Sequence, residues 1–362
     1  MKKGSILILL LGILTLTAGC NDKQISAGNG FAQLLKIEPK DGYEEVIITN
    51  QQGKVAARYA LVDKNSEQQP DIPSGVVEVR IPVERIILDS EVYAGALEEL
   101  NSTDRIKGMF DAMYATSSEL REKINNKKMT DLGTTSNPNR ELMVTIDPEI
   151  MILSYFEGMK TEGLDQVGVP IIKMYDLQEQ TPLGRAEWIR LLGRLSGKAE
   201  KADTSFSEVT KKYEEYKKLV SGDRRPKVLT EIMYEGTWNV AAANSYHASL
   251  IKDAGGDYFE KKESTSGSLN LLPEQVLEDG SDADIWLIRF YGSEEELNGI
   301  LDSDPVYKEF EAYKNGNIYF SDTSKNGLFR EFPFHPELLL EDYIKIFKGE
   351  GENLRYYRKL KK

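Results

Sequence analysis

Two stretches of this chain read as copies of one unit, and a unit used twice narrows the fold more than any other feature of the sequence. The first is Pro138-Asn139-Arg140-Glu141, an apolar run, then Ile146-Asp147-Pro148-Glu149-Ile150-Met151-Ile152-Leu153-Ser154-Tyr155-Phe156. The second is Leu272-Pro273-Glu274, an apolar run, then Asp282-Ala283-Asp284-Ile285-Trp286-Leu287-Ile288-Arg289-Phe290-Tyr291. Each sets a glutamate in the first turn of a short helix and follows it with an acidic turn, a buried strand and an aromatic pair. Glu141 precedes Gly158 by 17 residues, and Glu274 precedes Gly292 by 18. A helix-turn-strand unit used twice predicts two similar α/β lobes, with a ligand site in the cleft between them.

The single cysteine points to a compartment. Met1-Lys2-Lys3 is a short basic start, Ile6 to Leu16 is almost wholly apolar, and Leu16-Thr17-Ala18-Gly19-Cys20 follows. A charged start, an apolar run of about ten residues and small residues before a cut describe a secretory signal. The run falls short of the roughly 20 apolar residues that span a bilayer. Small residues directly before a lone cysteine resemble a bacterial lipoprotein signal, in which that cysteine is lipidated; Thr17 stands where leucine is more usual. An ordinary signal peptide with an incidental cysteine is the competing reading. Without a second cysteine there is no disulfide framework.

The body is acidic. The net charge is −13, and −15 without Lys2 and Lys3. That balance argues against nucleic acid as a partner and against a polybasic grip on anionic lipid. The 362 residues suffice for two lobes. The expected organisation is a signal over 1–19, a tether over 20–30, a β-rich extension over 31–80, a first lobe over 81–196, a linking helix over 197–222, a second lobe over 223–350 and a polar tail over 351–362.

Along the chain, Val46-Ile47-Ile48-Thr49 and Val55 to Val62 flank the turn Asn50-Gln51-Gln52-Gly53 as a hairpin, and Val76 to Pro82 is a further strand. Arg85 to Ser90 is a strand, Val92 to Leu100 a helix, and Asp104 to Met109 the next strand. A strand-helix-strand run this short implies parallel pairing with a right-handed crossover. Gly168 to Met174 is another buried strand. Thr181-Pro182 caps and starts a helix whose stripe includes Trp188, Ile189, Leu191, Leu192 and Leu195. Phe206, Val209, Tyr213, Tyr216 and Val220 give Ala199 to Val220 a narrow apolar seam, as in a strut lying across both lobes. Lys227 to Ile232 (strand), His247 to Ala254 (helix), Asn317 to Phe320 (strand) and His335-Pro336 to Phe347 (helix) complete a second lobe. The fold class is α/β: two lobes, each a mostly parallel sheet flanked by helices, joined by one long helix and preceded by a β-rich segment.

Arg85-Ile86-Ile87-Leu88, Asn137-Pro138-Asn139-Arg140-Glu141, Asp147-Pro148-Glu149-Ile150, Gly168-Val169-Pro170-Ile171-Ile172, the long helix and Asp253-Ala254-Gly255-Gly256-Asp257 occur in one order. Over roughly residues 80–350 the set resembles the substrate-binding proteins of ABC importers for iron-siderophores, haem and cobalamin. The segment 31–80 departs from the commonest pattern of that family. The resemblance implies small opening motions about a rigid helix, a metal chelate as ligand, and a permease dimer with its ATPase as partner. It implies a monomer in the cell envelope, held to the membrane only through the lipid on Cys20, with no intrinsic cofactor. It also implies that Glu141 and Glu274, one per lobe, dock into arginine pockets of the permease; plain helix capping is the alternative for both. The cargo expected is a ferric siderophore, with a corrinoid or haem as alternatives.

Ligand contacts belong at the carboxyl ends of the strands. In the first lobe these are Ser90, Glu91, Tyr93, Tyr155 and Phe156. In the second they are Trp238, Asn239, Arg289, Phe290 and Tyr291, with Arg330, Phe332 and His335 on the last loop. Aromatic faces suit a flat macrocycle or catechol rings, and arginines suit anionic groups. Tyr155, Trp238 and Arg289 stand out, the last because it interrupts an apolar strand at its end; packing between lobe and loop is the competing reading for each. His247 and His335 are too few for the three-histidine sites of related zinc or manganese importers, and no metal site is expected. No Gly-x-Ser-x-Gly elbow and no phosphate-cradling loop is present. The acid pairs Glu44-Glu45 and Glu294-Glu295 lie in charge runs, so no catalytic residue is assigned and an enzyme is not expected.

Overall fold

The computed structural model describes residues 30–156, 158–159, 161, 163–220, 224–261 and 267–361. The signal, Cys20 and all of the tether except Gly30 lie outside the described residues.

The first lobe is built on a five-stranded parallel sheet. Its order is Ile171–Met174, Ile150–Ser154, Ile86–Leu88, Ile106–Met109 and Thr130–Asp131. Ile86, Ile87 and Leu88 are all buried, as a strand covered on both faces requires. Ser90 then caps the helix Glu91–Glu99 by accepting the Val92 N–H, and the helix buries Tyr93, Ala94, Ala96 and Leu97. The chain starts in the middle of this sheet, runs to one edge, and returns to the other side. Strand order therefore reverses between Ile86–Leu88 and Ile150–Ser154, which is where open α/β sheets leave a crevice.

The second lobe repeats the plan. Asp257–Tyr258, Lys227–Thr230, Ile285–Phe290 and Ile318–Asp322 are parallel, and the order reverses between Lys227–Thr230 and Ile285–Phe290. The two copies of the sequence unit thus occupy equivalent places, each strand lying beside the first strand of its lobe.

The helix Ala199–Lys217 joins the lobes and is about 28 Å long at 1.5 Å per residue. It buries Ala202, Phe206, Val209 and Tyr213. Its first half is tied to the first lobe, where Asp203 accepts from Arg190 Nε at 2.6 Å and Ser205 donates to Glu99. Its second half is tied to the second lobe, where Tyr213 donates to Asp253 at 2.9 Å and Tyr216 to Glu341 at 3.0 Å.

Behind the cleft the lobes also touch directly. Helix Glu91–Glu99 packs on Leu328–Glu331, close enough that a Cβ on Gly95 would lie 2.5 Å from the Arg330 carbonyl oxygen. Glu98 pairs with Arg330 at 2.8 Å, and Glu99 with His335 Nε2 at 2.7 Å.

The segment before the first lobe is a four-stranded sheet in the order Leu35–Lys40, Tyr43–Thr49, Val55–Asp63, Val77–Ile81, antiparallel except for its last pair. It is packed onto the first lobe. The Glu179 carboxylate accepts the Gln33 and Leu34 amide hydrogens at 2.9 and 3.0 Å, and Glu187 accepts that of Ala32 at 2.9 Å. The Tyr59 hydroxyl donates to the Ile171 carbonyl at 2.6 Å and accepts the Lys173 N–H at 3.1 Å.

The polar tail expected over 351–362 is instead part of the second lobe. Arg358–Lys359 pairs antiparallel with Ile318–Asp322, and Tyr356, Tyr357 and Leu360 are buried. Asp342 accepts the amide hydrogens of Arg355, Tyr356 and Tyr357 at 2.8, 2.7 and 3.3 Å. A two-residue strand anchored by backbone bonds to one carboxylate carries no hydrophobic period to read.

Candidate ligand-binding site

The carboxyl ends of the first lobe's strands open into a cavity of about 430 Å³ between the lobes. Ile86–Leu88 delivers Asp89 to its floor. Asp89 accepts the Ser154 N–H at 2.7 Å and its hydroxyl at 3.3 Å. Burial pushes the Asp89 carboxyl up to about 7, against the pull of those two bonds. Tyr93, from the first turn of the next helix, donates to Asp176 at 2.8 Å and lies 3.0 Å from the Ser154 hydroxyl. Burial, then the Asp176 and Asp89 carboxylates, hold the Tyr93 phenol far above its ordinary range.

Arg185 enters from the helix Pro182–Ala186, which Thr181 caps by accepting the Gly184 N–H at 3.0 Å. Its Nε donates to Asp176 at 3.0 Å, and its guanidinium lies 4.5 Å from the Tyr246 ring centroid. Burial works against this charge, but Tyr246 and Asp176 keep it firmly protonated. Glu91 turns to the loop beside it, where its Oε1 accepts the amide hydrogens of Thr116 and Ser117 at 2.6 and 2.8 Å. Asp111, at the end of Ile106–Met109, has φ of 50° and is raised by burial and by Asp131.

Aromatic side chains form the mouth. Tyr114 of the first lobe meets Tyr291 of the second edge-on, with centroids 5.5 Å apart, and Phe329 stands beside them on the cleft wall. All three are large and open to solvent, at 51, 56 and 43% exposure, which marks a surface built to be covered.

Ser90, Glu91, Tyr93 and Tyr291 therefore line the cleft, as the strand-end rule places them. The other sequence candidates do not. Trp238 is buried in the second lobe against Trp286, Tyr307 and Phe310, and donates its Nε1 hydrogen to the Thr230 carbonyl at 3.0 Å. Asn239 is on the exposed face of the small sheet Met233–Tyr234, Thr237–Ala241, Ser268–Leu271, bonded to Asn270 at 2.8 Å. Tyr155 packs 5.5 Å from Tyr175, under the Lys173 ammonium, and Phe156 is exposed outside the cavity. Arg289 is held by Glu231, with Nε to Oε1 at 2.6 Å, and Phe290 beside it packs into the lobe. Arg330 and His335 belong to the contacts behind the cleft, and Phe332 is core.

Reading from the strands missed Asp89, Asp111, Tyr114, Arg185, Tyr246 and Phe329. The first two end strands the sequence shows and were legible there. The other four sit on loops and short helices, with no periodicity to single them out. Among the described residues no group of three or more His, Cys, Asp or Glu side chains is placed to hold a metal ion. Nor, among the described residues, is any helix long and apolar enough to cross a membrane.

The exposed ends of the repeated units carry the two paired glutamates. Asn139 caps Arg140–Ile146 by accepting the Leu142 N–H, and Glu141 is exposed in its first turn. Glu274 is exposed in the first turn of Pro273–Gly280. Neither carboxylate has a partner among the described residues.

An uncharacterized lipoprotein of Methanocaldococcus jannaschii, MJ0872, is 28% identical over 355 residues, covering 91% of this chain and 86% of its own. The Fe(3+)-citrate-binding protein YfmC of Bacillus subtilis is 22% identical over 326 residues, covering 89% of this chain and 90% of its own. Among solved structures, a periplasmic heme binding protein from Pseudomonas aeruginosa aligns with a TM-score of 0.61 at 15% identity, covering 77% of this chain and 99% of its own. An ABC-type Fe3+-hydroxamate transport system protein from Saccharomonospora viridis aligns at 0.58 and 17% identity, covering 74 and 93%. The family described as "Periplasmic binding protein" matches residues 90–324, most of both lobes and the helix between them, and the chain belongs to that family.

Proposed function

We propose that this chain is the substrate-binding component of an ABC importer, taking up a ferric chelate of siderophore type between its lobes and passing it to a permease dimer driven by its ATPase. The observation that carries the reading is the cavity itself. It lies at the strand ends where the sheet order of the first lobe reverses, faces the second lobe, and is rimmed by exposed aromatic rings from both. Relatives and neighbours named for Fe(3+)-citrate, Fe3+-hydroxamate and heme point the same way. A corrinoid or haem is the alternative cargo.

In this reading the chain binds and releases and catalyses nothing. Ser90, Glu91, Tyr93 and Tyr291 contact the ligand, joined by Asp89, Tyr114, Arg185, Tyr246 and Phe329. The lobes move little, because one helix and the direct contacts behind the cleft resist a wide hinge. Glu141 and Glu274 present exposed carboxylates on matching elements, suited to bidentate pairing with permease arginines. Such pairs fix register and speed encounter more than they add affinity. The chain acts as a monomer in the cell envelope, tethered through a lipid on Cys20, as the lipoprotein names of the relatives support.

The test is thermal unfolding of the purified chain against ferric siderophores, haemin and cobalamin. A ligand at 100 times its Kd adds ~2.7 kcal/mol, a readily measured rise in Tm. A rise with a siderophore supports the reading, a rise with haemin or cobalamin alone selects the alternative, and no rise with any overturns all three. Docking is tested separately. Glu141→Ala with Glu274→Ala should abolish uptake by cells while leaving ligand affinity unchanged, and lost affinity would overturn that assignment.

A further inference from the structure

We infer that the cleft takes chelates of neutral or positive overall charge and turns away anionic ones. The inference rests on the chelate-receptor reading above and narrows it. Its basis is the charge that lines the cavity. Among the described lining residues the ionisable acids are Asp89, Glu91 and Asp111, and the one basic side chain is Arg185. Arg185 is not free to meet an anion. Its charge is balanced by Asp176 at 3.0 Å, its side chain is only 4% exposed, and the rings of Tyr246 and Phe332 lie within 4.5 and 5.4 Å of its guanidinium. The two other arginines near the strand ends are equally committed. Arg289 stands behind Phe329 and is neutralised by Glu231, and Arg330 is shared between Glu98 and Glu331.

A polycarboxylate or catecholate complex of iron(III) carries net negative charge, and within several ångströms of these carboxylates it meets repulsion that the aromatic mouth does not offset. Ferric trihydroxamates are neutral, or cationic when the chelator bears a free ammonium. A cationic complex gains twice, from the carboxylates on the floor and from the ring faces of Tyr114, Tyr246, Tyr291 and Phe329.

The experiment measures the Kd of the purified chain, by calorimetry at pH 8, for four probes of different charge: ferrioxamine B (cationic), ferrichrome (neutral), ferric citrate and ferric enterobactin (both anionic). The expected result is that one or both hydroxamates bind at least 100-fold more tightly than either anionic complex. Asp111→Asn should narrow that ratio severalfold. Asparagine tolerates the left-handed φ of 50° at this position, so the variant keeps the fold. Asp89→Asn should narrow it further. Tighter binding of ferric citrate or ferric enterobactin overturns the charge inference and leaves the receptor reading standing. Failure of all four to bind overturns both. A ratio unmoved by either variant overturns the assignment of selectivity to these carboxylates.

Discussion

Asp89 and Glu231 hold the same place in their two lobes, and so do Ser154 and Arg289. Asp89 follows the first strand of its lobe and donates its amide hydrogen to Ile152; Glu231 follows the first strand of its own and donates to Leu287. Each carboxylate then reaches the amide of the fifth residue of the neighbouring strand, Ser154 at 2.7 Å in one lobe and Arg289 at 3.4 Å in the other. The acid is one methylene longer in the second lobe and sits at a left-handed φ of 63°, and the side chain at that fifth position changes from serine to arginine. With serine the acid stays half-open on the cavity floor; with arginine it is consumed in an ion pair. One backbone plan thus supplies a ligand-facing floor in the first lobe and a filled crevice in the second. The second lobe reaches the cleft with rings, Tyr246, Tyr291 and Phe329, rather than with charge.

Undoing the ion pair should have the largest effect. Arg289→Ser places at the fifth position the serine of the first lobe and leaves Glu231, a partly buried carboxylate, without its cation. Removing one partner of such a pair costs about 3–5 kcal/mol. Urea unfolding should show that loss, and adding Glu231→Gln should restore most of it. If Arg289→Ser alone leaves stability unchanged, the pair does not separate the lobes as argued.

The equivalence of the lobes also depends on how they are pressed together. Gly95→Val forces a side chain against the Arg330 backbone, at about 1–3 kcal/mol for overpacking. Its melting temperature should fall, and ligand affinity with it, because the cleft faces are splayed.

The reciprocal exchange, Ser154→Arg, gives Asp89 the partner that Glu231 has. Affinity for a cationic chelate should fall about tenfold, ~1.4 kcal/mol, and an anionic chelate should begin to bind. Calorimetry with ferrioxamine B and ferric citrate decides it.

A separate signature is a slope of stability with pH. The folded Asp89 carboxyl, near 7, lies above its ordinary 3.8, so the native state holds the proton more tightly and stability falls as pH rises between those values. Burial alone would lower the charge preference of His335, but hydrogen bonds to Glu337 and Glu99 raise it to about 10. That contribution is complete below about 6.5 and is lost as pH rises through 10. Both groups tilt stability the same way. Asp89→Asn should flatten the acid half of a Tm profile and His335→Gln the alkaline half, the latter also costing about 1–3 kcal/mol for the buried Glu337 it strands.

The repeat was legible because its parts carry clear patterns: apolar runs for doubly covered strands, Thr181 as a cap, and a seam of Phe206, Val209 and Tyr213 on one helix. The site was legible only where it touches those parts. Ser90 and Tyr93 follow a strand and were found. Trp238 sits on a strand, whose two faces are equivalent in sequence, and Phe332 follows a one-turn helix; both face the core. Arg289 drew notice as a charge in an apolar strand; its partner lies 58 residues earlier, at a distance no local pattern spans. Tyr114 and Phe329 lie on one-turn helices too short to show a period, and only the packing of the lobes brings them to one mouth.

The hydroxyl of Tyr59 has a further consequence. A sheet edge with bare N–H and C=O groups is a template on which another chain can grow. Three of the four outer strands of the two lobe sheets, Thr130–Asp131, Asp257–Tyr258 and Arg358–Lys359, are two residues long and offer little to copy. The fourth, Ile171–Met174, is longer, and there Tyr59 occupies both the Ile171 carbonyl and the Lys173 amide hydrogen. The sheet that precedes the first lobe therefore closes that edge, and it does so with a single phenol in place of a strand.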